Sequence, residues 1–264
     1  MTQGKAGWEI EPGDPRSNVV LHVPHASREL PPEERRRILL SDDELEAELD
    51  AITDADTDLL AFTAAERAEQ RPWIFRNRYS RLLIDPERFP DKREEMLAVG
   101  MGPVYLKTTK DRDFRSPDPA DDERLKDKYY WPYAKALERL VEDRLEEAGE
   151  ALIIDLHSYP RDPLPYELHS DQARPELCIG LDEFHLPGRP VKAAKAVWSG
   201  SIEINQPFSG SYVPDRFYES DNLVRSMMLE IRRDVIDEWL KEPSGTRDQS
   251  SIVNLVVATI DAAA

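Results

Sequence analysis

A chain of 264 residues, 40% hydrophobic and 33% charged, is long enough to bury one large core, and no Gly/Ser-rich linker divides it, so a single domain over 1–264 is expected. Its formal charge of -18 excludes the basic footprint that nonspecific nucleic-acid or anionic-membrane binding requires. No apolar run approaches the ~20 residues of a membrane span, and Met1 to Pro15 lacks the apolar centre of a secretory signal, which makes the cytoplasm the expected location.

Taken in order, Asn18-Val-Val-Leu-His-Val23 has the pattern of a first strand, stopped by Pro24 and followed at once by His25, Ser27 and Arg28. Pro31-Pro32 opens a helical stretch, and an acidic segment from Ser41 to Asp50 carries Leu45 and Leu49 at i, i+4 spacing, its carboxylates forming a solvated face. In Thr53-Asp-Ala-Asp-Thr-Asp-Leu-Leu60 three acids alternate before an apolar turn. Thr53 or Asp54 as a helix N-cap, with Asp58 in the first turn, is one reading, and a metal ligand is the other.

From Arg71 to Arg93 the charge balance reverses, with seven basic residues (Arg71, Arg76, Arg78, Arg81, Arg88, Lys92, Arg93) against Asp85, Glu87 and Asp91. Such an island in an acidic protein points to a small anionic substrate, because the guanidinium fork suits bidentate carboxylate binding; Arg71, Lys92 and Arg93 are expected merely to pair with surplus acids. Leu82-Leu83-Ile84 within it is expected as a buried strand with Arg81 and Asp85 at its ends. Gly100 to Asp122 is extended and polar, with a short strand expected at Val104-Tyr-Leu106. Trp131 to Ala148 has a helix's apolar periodicity, Pro132 in its first turn and Gly149 as its stop.

That helix delivers the chain into Ala151-Leu-Ile-Ile-Asp-Leu-His-Ser158, an apolar run ending in Asp155, His157 and Ser158. Consecutive aliphatic residues suit a strand buried on both faces of a mostly parallel sheet, and ligands in such folds sit beyond the carboxyl ends of the strands. His157 therefore stands where a site is expected. Asp155, on the same side of the strand, could orient a ligand, cap a helix or contact a loop; Ser158, as a neighbour of His157, points away from it and makes a poor nucleophile. Tyr159 to Pro175 is a proline-rich loop bearing His169, expected at the surface. Leu177 to Leu181 is a further strand, in which Cys178, the single cysteine, is a small core residue and excludes both an internal disulfide and a cysteine metal cluster.

Val191 to Trp198 is expected as a short helix and Ser201 to Asn205 as a strand. Gln206 to Val213, with Ser211 and Tyr212, is a turn that either presents Asn205 and backbone amides to a ligand or closes a hairpin. Leu223 to Ile231 fits a helix from Asp221 or a core strand. Glu230 inside so apolar a run is exposed on the helix in the first case and functional in the second. Asp248 to Ala264 is a closing helix.

In combination, His22-Val-Pro-His-Ala-Ser27, Thr53-Asp-Ala-Asp-Thr-Asp-Leu59, Ser80-Arg-Leu-Leu-Ile-Asp-Pro-Glu-Arg-Phe89, Ile154-Asp-Leu-His-Ser158, Asn205-Gln-Pro-Phe-Ser-Gly-Ser-Tyr212 and Met228-Leu-Glu-Ile-Arg-Arg233 resemble the N-formylglutamate amidohydrolase family. The similarity runs in order from about Asn18 to Asp234. The family is itself similar to zinc carboxypeptidases and aspartoacylases. The resemblance implies a mixed, mostly parallel α/β sheet flanked by helices on both faces, one catalytic divalent metal, zinc, and hydrolysis of N-formyl-L-glutamate to formate and glutamate, a step of histidine catabolism. It implies His25 and His157 as metal ligands. Arg28 stands at the spacing of the carboxylate ligand that follows the first His in the wider superfamily, which moves that role to Asp54, with Asp58 as the alternative. Glu230 is then the general base, favouring the strand reading. Arg81 polarises the scissile carbonyl, and Arg88, with Arg78, Asn205, Ser211 and Tyr212, binds substrate. Glu87 replaces an Asn of the relatives, a departure that points to a shifted substrate specificity.

Two histidines and one carboxylate leave an open position on zinc, as catalytic sites do. Three readings follow: an amidohydrolase of N-formylglutamate, a deacylase or carboxypeptidase-like hydrolase of another N-acyl amino acid or peptide, and an anion-binding module without turnover. The sequence leaves monomer and homo-oligomer both open.

Overall fold

The computed structural model describes residues 6–168, 170–243 and 245–263; His169 lies outside them. Seven strands form one sheet: β1 (Trp8–Glu11), β2 (Val19–Val23), β3 (Trp73–Asn77), β4 (Ala151–Tyr159), β5 (Leu177–Gly180), β6 (Ile202–Ile204) and β7 (Val224–Arg232). Their order is β1-β3-β2-β4-β7-β5-β6. Pairing is parallel at β3–β2, β2–β4, β4–β7 and β5–β6, and antiparallel at β1–β3 and β7–β5. The sheet is therefore mixed and mostly parallel. β4, the aliphatic run, is central and buried at every residue, as a strand covered on both faces must be.

Helices α1 (Pro32–Arg35), α2 (Asp42–Ile52), α3 (Thr57–Ala65), α4 (Pro119–Leu125), α5 (Trp131–Ala148), α6 (Gly188–Val197), α7 (Arg233–Lys241) and α8 (Ser251–Asp261) surround it. Strand alternation divides the core. Leu21, Ile154, Leu156, Leu229 and Ile231 face a cluster that includes Leu60 of α3, Ala194 of α6, Trp239 of α7 and Val256 of α8. Val20, Ala151, Ile153 and Val224 face Tyr133, Leu137, Leu140 and Val141 of α5. By the same alternation His22, Asp155, His157 and Glu230 project from the α5 side, at and beyond its apolar patch. Ser158 alternates to the other side of β4 from His157.

Several expectations require correction. Leu82-Leu83-Ile84 is buried but is not a strand: it follows β3 as a series of turns. The reason is local. Ser80 closes the turn, its carbonyl accepting from Leu83 N and its hydroxyl from Leu82 N, and the Arg81–Asp85 ion pair folds the segment back on itself. The strand of this region is Trp73–Asn77, disguised by Arg76 and Asn77. Val104 to Leu106 joins no strand of the sheet; this region has only isolated bridges between Met101 and Tyr105 and between Lys107 and Asp113. Neither Thr53 nor Asp54 caps α3; Asp56, in the left-handed region at φ 62°, precedes it without a side-chain cap bond. No helix among the described residues is long and apolar enough to cross a membrane.

Candidate functional site

β2 ends at Val23 and Pro24 turns the chain, which places His25 beyond the sheet edge, beside His157 near the end of β4. Asp54 enters from the link between α2 and α3, and its N–H donates to the His25 carbonyl at 3.0 Å. Its carbonyl accepts the Thr57 hydroxyl at 2.8 Å, so the residue is fixed at both ends. Three ligand-type atoms then converge: His25 Nδ1 is 3.2 Å from His157 Nδ1, and Asp54 Oδ2 is 3.0 Å from His157 Nδ1 and 3.6 Å from His25 Nδ1. All three side chains are buried.

A carboxylate holds the far side of the His25 ring, and two more stand near the far side of His157. His25 Nε2 is hydrogen bonded to Asp85 Oδ1 at 3.0 Å, and Asp85 Oδ2 accepts from Arg81 Nη2 and the Tyr105 hydroxyl, each at 2.6 Å. His157 Nε2 lies 3.1 Å from Glu87 Oε2 and 3.2 Å from Asp155 Oδ2. Burial alone would raise the Asp54 carboxyl, but the hydrogen bonds to His157 and His25 outweigh it and keep it ionised well below the usual range. Burial would likewise lower His157, yet Glu87 and Asp155 beside it push the ring well above its ordinary value. A proton is thus strongly favoured at this imidazole.

Glu230 is the register partner of His157 on the neighbouring β7, so its carboxyl opens onto the same side. It is 9% exposed, and its Oε2 has no hydrogen-bond partner among the described residues. Burial, only partly offset by His157, pushes it up to about 7.

These groups form the floor of a cleft of about 830 Å³, walled by the segments that contain Arg88, Tyr130, Tyr166, Ser211 and Tyr212. Of the seven basic residues in the Arg71–Arg93 island, Arg81, Arg88 and Arg93 line it. Arg71 pairs with Glu66, and Arg93 also bonds Asp91 and Asp215, in line with the expected use of surplus acids. Arg88 stands 3.6 Å from both Asp85 and Glu94, which leaves it looser than Arg81. Ser211 and Tyr212 line the cleft, the Tyr212 ring centred 5.1 Å from that of His22.

Other sequence candidates lie elsewhere. Arg78 pairs with Glu9 at 3.0 Å, outside the cleft. Asn205 uses its amide on the loop: Oδ1 accepts from Leu181 and Gly210 N–H groups and Nδ2 donates to the Leu181 carbonyl. Asp58 pairs with Arg76 at 2.9 Å, away from the two histidines, and Arg28 bonds the exposed Glu46 and Asp50. From sequence alone, Asp85 and His22 had no place in the site and Glu87 stood only for a change in substrate specificity. The i, i+4 spacing of Arg81 and Asp85 was the available signal for the first; only strand pairing brings His22 opposite Asp155.

With this geometry established, comparison with known proteins gives a consistent answer. The model of the N-formylglutamate amidohydrolase family matches residues 17–236. No curated protein matches the sequence. Among solved structures, an N-formylglutamate amidohydrolase from Ralstonia eutropha superposes with a TM-score of 0.75 at 20% identity, covering 97% of this chain and 96% of its own. A gene product from Agrobacterium tumefaciens gives 0.68 at 19% identity, with 93% and 90% covered. At these identities the likeness to the solved structures concerns the fold.

Proposed function

The chain belongs to the N-formylglutamate amidohydrolase family, and on that premise we propose that it deacylates an acidic N-acyl amino acid, N-formyl-L-glutamate first, with one zinc ion held by His25, Asp54 and His157. Membership makes it a hydrolase acting on a linear amide C–N bond. The convergence of Nδ1, Nδ1 and Oδ2 at 3.0 to 3.6 Å is the observation that carries the metal. Ligand bonds of about 2.0–2.1 Å in a tetrahedron put neighbouring donor atoms roughly 3.3 Å apart, so the residues fit the ion. Two imidazole nitrogens facing each other are also a poor arrangement for protons alone, since at most one hydrogen bond links them.

Bound there, the ion would supply Lewis acidity to the scissile carbonyl and acidify a water molecule. The other steps fall to the chain's own groups. Glu230, its carboxyl poised at about 7, takes the proton of the attacking water and returns it to the departing amine. Arg81 stabilises charge on the carbonyl oxygen, a contribution that reaches about 3 kcal/mol for one good donor. Its Nε and Nη2 both donate to Asp85 Oδ2, which fixes the guanidinium plane for that task. Arg88, more loosely held in the same wall, takes the substrate carboxylate, with Ser211 and Tyr212 beside it.

Formate release from N-formyl-L-glutamate, measured alongside metal content before and after chelation, tests both parts. Loss of release on chelation and recovery with zinc is expected. Full activity in metal-free protein would overturn the zinc assignment, and no release in the loaded protein would overturn the substrate. One observation favours a second reading: a cleft of about 830 Å³ lies in the upper range for drug-sized ligands, larger than a formylated amino acid needs. Another N-acyl amino acid or a short peptide end would use that space, and a panel of N-acyl substrates separates the two.

A further inference from the structure

Deeper along β2 and β4, a second group of donor atoms converges on the same side of the sheet. His22 and Asp155 are register partners, and His22 Nδ1 lies 2.9 Å from Asp155 Oδ1 and 3.4 Å from Glu87 Oε1. None of these three atoms has a hydrogen-bond partner among the described residues. At those separations a well-aligned N–H would bond either oxygen, so what is lacking is the angle. His22 is 0% exposed and Asp155 1%, while the Glu87 side chain is 14% exposed. Buried carboxylate oxygens and an imidazole nitrogen left facing one another in this way are costly without an ion between them.

We propose that His22 Nδ1, Asp155 Oδ1 and Glu87 Oε1 form a second divalent-cation site, separate from the His25–Asp54–His157 triad. The residues around it are built as the surroundings of a metal site are. His22 Nε2 lies 2.6 Å from the buried Tyr133 hydroxyl of α5, which fixes the ring and leaves Nδ1 as the ligand atom. The second oxygens of Asp155 and Glu87 are the ones that stand 3.2 and 3.1 Å from His157 Nε2. Each carboxylate therefore has one oxygen for the second cation and one toward a ligand of the first. An ion pair between Asp155 and a protonated His22, 2.9 Å apart, is the competing arrangement, and the metal count below separates the two.

Charge supports the same conclusion. Asp54, Asp85, Glu87, Asp155 and Glu230 line the floor of the cleft with Arg81, Arg88 and Arg233, so carboxylates outnumber guanidinium groups where the donor atoms meet. One imidazole with two carboxylates is also a harder donor set than two imidazoles with one carboxylate, so this site should accept Mn²⁺ more readily than the triad does.

The test uses the metal-free full chain, titrated separately with MnCl₂ and ZnCl₂, with bound metal counted after gel filtration. Two equivalents are expected for the unaltered protein, one for His22→Gln, and one, retained at the second site, for His25→Ala. Electron paramagnetic resonance of the doubly Mn²⁺-loaded protein should show a spin-coupled spectrum that His22→Gln converts to that of isolated ions. Saturation of the unaltered protein at one equivalent that His25→Ala abolishes overturns the proposal, as does a second equivalent undiminished in His22→Gln. If that variant does not fold, judged by circular dichroism, Glu87→Gln replaces it under the same criteria. Because His25→Ala removes the triad and not this site, failure here is distinguishable from failure of the proposed catalytic metal.

Discussion

Asp54 is clamped by backbone bonds to His25 and Thr57 before its carboxylate does anything, and that rigidity makes it a suitable third ligand. Asp54→Asn is accordingly expected to weaken zinc binding by more than the 10–100-fold typical of outer partners, read by metal retention against a graded chelator. Asp58→Asn should retain the metal and lose only its partly exposed pair with Arg76, about 1 kcal/mol or less. Equal metal loss in the two variants would contradict the assignment. Glu230→Gln separates chemistry from binding: kcat should fall by about 10²–10⁴ while zinc content stays constant, and a change of only a few fold would remove Glu230 as the base.

At the scale of elements, α2 begins with a complete capping box. The Ser41 hydroxyl accepts from Glu44 N–H, and the Glu44 carboxylate accepts from Ser41 N–H. Ser41→Ala should cost about 1 kcal/mol and lower Tm by roughly 2–4 °C in a protein of this size, without altering metal content, since Asp54 is held separately beyond the helix end. An unchanged melting curve would show the cap to be redundant. The same scale shows what a sequence can and cannot reveal here. α5 and β4 were legible at their boundaries because periodicity, Pro132, Gly149 and four aliphatic residues all agree. β3 was not, because Arg76 and Asn77 cut the apolar run to three residues and its pairing with β1 and β2 decides the matter. Glu230 was ambiguous on periodicity; β7 becomes a strand because it pairs with β4 over its whole length. His25, Asp54 and His157 stood at recognisable chain positions, whereas the His22–Asp155–Glu87 group exists only through register and a turn, neither of which local sequence specifies.

For the whole molecule, a formal charge of -18 means that ion pairs binding distant segments must work against general repulsion. Glu34 is the clearest case. Its buried carboxylate is gripped by Arg124 Nη1 and Nη2 at 2.8 and 2.6 Å and approached by Lys128 Nζ at 3.3 Å, which ties α1 to α4 and the turn after it. The bond to Arg124, opposed by burial, brings its pKa down from 4.5 to about 2. A folded-state pKa below the unfolded one gives stability that is present above about 4.5 and lost as pH falls toward about 2. Arg124 is 35% exposed, so water screens part of this, and on the order of 2 kcal/mol remains. Glu34→Gln should therefore be less stable than the unaltered chain at pH 7 by about that amount, with the two urea midpoints converging as pH is lowered from about 4.5 to 2. A gap that stayed constant across that window would mean that Glu34 contributes through packing and not through its charge.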